Sequence, residues 1–190
     1  APASHAVLAR VARTDVTDVT TYTYDPQGNL RSVEDPTGLL TRYTDYSAGG
    51  LLRAMVDPAG LETRYRYDDR DRLIEVSTGA EGASQREVTT YAYDEAGNLS
   101  RITLPDASYL AYRYNDEGWL ADIRDARGNR AEYGYDRLGN RDREELFDGA
   151  GQLAQTQRQV FDQLGRLRQQ IGTNADEITT FGYDPQGNLT

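Results

Sequence analysis

The chain contains no cysteine, one histidine, one methionine and one tryptophan, and all 21 of its basic side chains are arginine. Without cysteine there is no disulfide framework, zinc–thiolate centre or thiol nucleophile. Without lysine, Schiff-base catalysis and a P-loop are excluded. A Ser-His-Asp triad would have to recruit His5, and its sequence neighbours offer it no partner. No hydrophobic run marks a signal peptide or a membrane span, since residues 1–13 are only mildly apolar. Basic charge is outnumbered 31 to 21, giving a net charge of -10. That field opposes nucleic acid, whose phosphates need a basic stripe. The compartment stays open, because a repetitive sheet can do without disulfides.

What the chain has instead is tyrosine: 14 copies against three phenylalanines, within a hydrophobic content of only 37%. A ring with a polar tip suits a surface that is packed yet partly wet. The tyrosines recur in a fixed phrase. Tyr22-Thr23-Tyr24-Asp25-Pro26-Gln27-Gly28-Asn29-Leu30 returns at the end as Phe181-Gly182-Tyr183-Asp184-Pro185-Gln186-Gly187-Asn188-Leu189. Between them come Tyr91-x-Tyr93-Asp94 with Gly97, Tyr112-x-Tyr114-Asn115 with Gly118, and Tyr133-x-Tyr135-Asp136 with Gly139. Tyr65-x-Tyr67-Asp68, and Phe161-Asp162 with Gly165, are looser copies. Taking Asp25 as the marker, copies fall at 25, 46, 68, 94, 115, 136, 162 and 184, in steps of 21 to 26 residues. Such a period means an array without a single compact core. The expected organisation is a lead-in over residues 1–19, then about eight units over 20–190, cut off inside a unit as in a piece of a longer protein. Val7, Leu8 and Val11 in the lead-in fit a helical turn or a strand equally.

Each unit reads as two strands and two turns. Tyr22 and Tyr24 alternate with Thr21 and Thr23, placing tyrosines on one face and threonines on the other. Asp25-Pro26-Gln27-Gly28 is a turn with a mechanism: aspartate caps it, proline presets φ, and glycine takes the left-handed position of a bulge. Asp35-Pro36-Thr37-Gly38, Asp57-Pro58-Ala59-Gly60 and Asp125-Ala126-Arg127-Gly128 form a second turn of the same chemistry. Gly79–Ala83 and Asp148–Gly151 lengthen that second turn and are expected to project as loops or longer hairpins. Residues 141–161, rich in Glu and Gln, could pass for helix on propensity, but the repeat frame places a hairpin there. Three copies break the pattern. In Tyr43-Thr44-Asp45-Tyr46 tyrosine and aspartate change places, which moves an aromatic to the other face unless a bulge intervenes. Asp71 stands where glycine belongs, and Arg141 replaces leucine.

The phrase Tyr-x-Tyr-Asp-x-x-Gly-Asn-Leu, followed by Asp-Pro-x-Gly and Thr-x-Tyr, resembles the YD repeat of RHS proteins over residues 20–190. The resemblance implies an all-β fold, a long meander of antiparallel hairpins in a strip that spirals into a hollow shell. The strand count points the same way: about sixteen strands exceed what a twisted open sheet tolerates without curling. Members of that family include bacterial polymorphic toxins, shell components of insecticidal toxin complexes, and teneurins. The resemblance thus implies that this chain helps to enclose a C-terminal toxin polypeptide. Its partners would be that cargo, the rest of the shell, and a secretion apparatus such as type VI, with delivery outside the cell.

Nothing in the sequence is assigned to catalysis, a cofactor or a metal. The family's self-cleaving core uses an aspartyl-protease-like pair, and Asp35 and Asp57 only superficially match its ending; both fit second turns. Asp68-Asp69-Arg70-Asp71 lacks the ligand spacing of a calcium loop and reads as a solvated acidic turn. Asn98-Leu99-Ser100 and Asn188-Leu189-Thr190 match the glycosylation sequon, but by chance within the repeat turn. The tyrosine faces could stack sugars, although a packing ladder explains a tyrosine at every period. The rival to the shell is therefore an extracellular module that binds glycan or protein through its aromatic faces. Open sheet edges would also allow self-association.

Overall fold

Alternating tyrosine and threonine or arginine, punctuated by Asp-x-x-Gly, leaves the backbone only short strands joined by tight turns, and that is what forms. The computed structural model describes residues 7–10 (backbone only), 19–174 and 176–190. Val11 and His5 lie outside those residues. Among the described residues every element is a strand.

The chain divides after Tyr91 into two units. The first contains β1 (Val7–Arg10), β2 (Val19–Tyr24), β3 (Leu30–Glu34), β4 (Leu40–Tyr46), β5 (Leu52–Val56), β6 (Leu61–Tyr67) and β7 (Leu73–Ala80), and β8 (Glu87–Tyr93) straddles the division. The second contains β9 (Leu99–Thr103), β10 (Tyr109–Tyr114), β11 (Leu120–Asp125), β12 (Arg130–Tyr135), β13 (Arg141–Phe147), β14 (Leu153–Phe161), β15 (Leu167–Ile171) and β16 (Ile178–Thr180). Within each unit every strand pairs antiparallel with the next in sequence. The fold is all-β, a meander of antiparallel hairpins. Val7–Arg10 is a strand rather than a helical turn, and residues 141–161 form the hairpin β13–β14 despite their helical propensity.

Directly paired residues share a face, so the registers sort the side chains. In the first unit one face carries the rows Tyr22–Val33–Thr41, Tyr43–Met55–Thr63–Thr78–Glu87 and Tyr65–Val76–Thr89. The other carries Ser32–Arg42–Val56–Glu62, Asp45–Ala54–Arg64–Ser77 and Arg66–Glu75. The second unit repeats the division: Tyr112–Ile123–Ala131–Leu146 on one face, Arg113–Asp122–Glu132–Glu145 on the other. The tyrosine face carries few charges, Glu87 in the first unit and Asp125 and Glu144 in the second among its paired positions.

The deepest burial lies on the charged face. Val56 is 1% exposed, and Ala54, Glu62, Ser77 and Asp122 are also buried. The described residues form no second layer, and long arginine stems supply the cover. Val56 pairs with Arg42 and Glu62, the two residues that the β7–β8 loop reaches: Glu81 meets Arg42 at 2.6 Å and Arg86 meets Glu62 at 2.9 Å. This lengthened turn does not project freely. It ties back, with Glu81 N–H donating to the Gly60 carbonyl at 3.1 Å. The lengthened hairpin of the second unit does likewise, since a β-carbon on Gly149 would lie 2.5 Å from the Arg127 carbonyl oxygen.

Candidate functional site

The chemistry of the chain concentrates in the first turn of each repeat. In Asp25–Gly28 the Gly28 N–H donates to the Asp25 carbonyl at 3.0 Å and the Asp25 N–H to the Asn29 carbonyl at 2.8 Å. Gly28 holds φ at 90°, a bulge position that side chains resist. The same pair of bonds closes the turns opening at Ser47, Asp68, Asp94, Asn115, Asp136, Asp162 and Asp184. Gly97, Gly118, Gly139, Gly165 and Gly187 occupy the Gly28 position at positive φ, and Asp71 does so at 60°. The second copy thus opens at Ser47, not at residue 46. Thr44 is a bulge, with register breaks on both sides of Asp45, so tyrosine and aspartate have not changed places. Tyr46 corresponds to Tyr24. One substitution for glycine escaped sequence reading: Ala107, at φ 65°, ends the turn that Leu104 opens.

The turn aspartates are clamped rather than available. Asp25 Oδ1 accepts the Gln27 and Asn29 N–H groups at 2.9 and 2.8 Å, and Oδ2 accepts the Asn29 amide at 2.9 Å. Asn29, Asn140 and Asn188 hold the carboxyls of Asp25, Asp136 and Asp184 below the ordinary range through side-chain hydrogen bonds. Arg72 does so for Asp68. Asp94 and Asp162 are also lowered, hydrogen bonds overcoming the upward push of desolvation. A rule internal to the chain follows. Asp opens a first turn wherever the fifth residue is Asn or Arg; where it is Leu51, which has no side-chain donor, or Trp119, whose ring packs against Tyr135, the opener is neutral, Ser47 or Asn115, and accepts the fifth residue's backbone N–H. Asn98 and Asn188, the sequon asparagines, spend their amides on Asp94 and Asp184. Asp35 and Asp57 likewise accept bonds from their own turns. Among the described residues no three His, Cys, Asp or Glu side chains are grouped to hold a metal.

The second tyrosine of a copy links it to the copy before. Tyr46 donates to the Leu30 carbonyl at 2.6 Å, Tyr67 to Leu52 at 2.9 Å, Tyr114 to Leu99 at 3.0 Å, Tyr135 to Leu120 at 2.8 Å and Tyr183 to Leu167 at 2.9 Å. Burial pushes the Tyr46 and Tyr114 phenols up, which keeps them protonated as donors. Phe161 stands at this position without a hydroxyl, and Arg141 occupies the matching leucine position of the preceding copy. The first tyrosines, Tyr22, Tyr65, Tyr112 and Tyr133, lie in the cross-strand rows instead, as do those rows' Val33, Val76, Ile123 and Glu144 partners. Tyr24 pairs with Leu30; Tyr91 and Tyr93 lie in β8.

An array whose units are closed by clamped turns and joined by tyrosines is a repeat sheet. The RHS Repeat family profile matches residues 24–52 and 46–84. Over those residues the chain is similar to the RHS repeat. No curated protein matches it. Among solved structures it is similar to the Photorhabdus luminescens Tc holotoxin pore, with a TM-score of 0.52 and 15% identity. The match covers 98% of this chain and 14% of that one. A crystal structure of TcdB2-TccC3-TEV is similar with a TM-score of 0.48 and 15% identity, over 98% of this chain and 15% of that one. The chain therefore spans about one-seventh of the length of these proteins, and the likeness to the holotoxin pore is one of fold.

Proposed function

We propose that this chain is a non-catalytic wall segment of an RHS shell, part of a toxin complex that is exported or delivered, and that the wall sequesters a C-terminal toxin polypeptide. The observation that carries the reading is the antiparallel meander within each unit. Its turn carboxylates and most of its second-tyrosine hydroxyls are consumed in holding the sheet, leaving the backbone of each unit as a hydrogen-bonded barrier. The mechanism is exclusion: cargo behind such a wall is kept from the producing cell. Partners would be the cargo, the remaining shell and other toxin-complex components. Delivery by a type VI or related contact-dependent apparatus belongs to the same proposal.

The test is protease protection of the product of the whole reading frame. A segment outside the repeats should resist trypsin in the native protein and be digested once mild denaturant opens the shell. Immediate digestion of every non-repeat segment would overturn the reading. The rival, an extracellular glycan- or protein-binding module, has one observation in its favour: the half-exposed tyrosine faces, which carry few charges. It predicts surface binding with no protected cargo.

A further inference from the structure

The charged face of the second unit holds more arginine than it neutralises. By register Arg101, Arg113, Arg124, Arg130, Arg143 and Arg158 stand on it, against Asp122, Glu132, Glu145 and the bulge residue Asp142. Three ion pairs form: Arg113 with Asp122, Arg130 with Glu132 at 2.8 Å, and Arg143 with Glu145 at 3.9 Å. Arg101 lies over the Tyr109 ring at 3.7 Å. Arg124 and Arg158 are exposed and have no partner among the described residues. In the first unit, by contrast, Arg42, Arg64, Arg66 and Arg86 each meet a glutamate. A locally basic face on a chain of net charge -10 sets this one surface against the rest of the molecule.

The surplus is also badly placed for the free sheet. Arg124 directly opposes Arg130, and Arg143 directly opposes Arg158. Like charges in that relation destabilise a sheet, and a bound anion relieves them. There is room for one at two places. Between Arg101 and Arg124 the intervening strand presents only Ala111. Two strand spacings, about 10 Å, let two guanidinium forks grip one carboxylate from opposite sides. Beside Arg143, Gly134 stands where Arg66 and Arg113 stand in their own copies. A hollow of about 260 Å³ opens there, lined by Gly134, Tyr135, Asp142, Arg143 and Arg158. Asp142 opposes a dense anion in the hollow but accepts an N–H, which a peptide backbone carries beside its carboxylates. The overall negative field disfavours nucleic acid.

We propose that the charged face of the second unit docks an acidic polypeptide segment, one carboxylate seated over Ala111 between Arg101 and Arg124 and a second between Arg143 and Arg158. The proposal does not depend on the shell reading. The experiment is fluorescence anisotropy of a labelled oligoglutamate peptide titrated with the chain at low ionic strength, beside oligoglutamine and oligothymidylate probes. Oligoglutamate should bind saturably and oligoglutamine should not. Arg124→Gln with Arg158→Gln removes two exposed, unpaired cations and should weaken binding at least about tenfold, with the far-ultraviolet spectrum unchanged. Arg31→Gln with Arg53→Gln makes the same change of charge at exposed, unpaired arginines of the first unit and should leave binding as it was. Ala111→Glu supplies a carboxylate from within and should block the peptide; the paired arginine variants carry the test if that variant misfolds. No saturable binding of oligoglutamate, equal weakening in both arginine variants, or tighter binding of oligothymidylate overturns the proposal.

Discussion

The two faces of this sheet hold together by different means. The tyrosine face is half-exposed and carries few charges, and its copies are joined by phenol-to-carbonyl hydrogen bonds. The charged face contains the most deeply buried residues, Val56 and Asp122, at 1% and 3% exposure. Apolar content alone would have put the core under the tyrosines. In a single layer, what buries a side chain is the length of its neighbours, and arginine is longer than threonine.

The contrast is broken most severely by Arg86→Ala. Arg86 Nη1 lies 2.9 Å from Glu62 Oε2, its Nη2 donates to the Glu62 carbonyl at 2.6 Å, and both side chains are at most 10% exposed. Removing it leaves Glu62, the strand partner of Val56, with the more exposed Arg64 alone. We expect a loss of about 2–3 kcal/mol in urea unfolding. Arg66→Ala, on the same face but 65% exposed at the surface, should cost less than about 0.5 kcal/mol.

Phe161→Tyr sharpens the comparison from the other side. It restores a hydroxyl at the one second-aromatic position in the array that lacks it, and should stabilise by about 0.5–1 kcal/mol if the Arg141 carbonyl accepts it. Acid should act on the turns before the tyrosine links. Asp25, Asp35, Asp68, Asp125, Asp136 and Asp184 are all held low, chiefly by side-chain bonds from Asn29, Thr37, Arg72, Asn129, Asn140 and Asn188. Their folded values lie below the unfolded ones. The stability they contribute is therefore complete above about pH 4 and is lost as pH falls through the folded values. A melting temperature that stays flat from pH 5 to well below pH 4 would refute this.

Much of the fold was legible because its determinants are local. A turn is written in Asp, Pro and Gly within five residues, and alternation writes the strand, so the hairpins and even the β13–β14 exception to helix propensity could be read. The Tyr-to-Leu links were not, because they join residues 15 or 16 positions apart through a shared sheet and leave no mark within a single copy. Nor was the tie from Arg86 to Glu62, which depends on where a loop folds back. The one-residue error at Ser47 came from matching Tyr43-Thr44-Asp45-Tyr46 residue by residue to Tyr22–Asp25, which leaves no room for the Thr44 bulge. Matching each turn's first residue to its fifth, Ser47 with Leu51 and Asn115 with Trp119, would have found the true frame. Ala107 carried no signal, since nothing about alanine announces a positive φ.

The central claim is that hydroxyl bonds from the second tyrosines join the copies, and Tyr135→Phe against Tyr133→Phe tests it within one strand. Tyr135 donates to the Leu120 carbonyl at 2.8 Å, whereas Tyr133 lies in a cross-strand row with Arg141 over its ring at 5.1 Å. Urea unfolding should show Tyr135→Phe losing about 1 kcal/mol and Tyr133→Phe less than about 0.5 kcal/mol. Equal losses, or a larger one at Tyr133, would contradict the account.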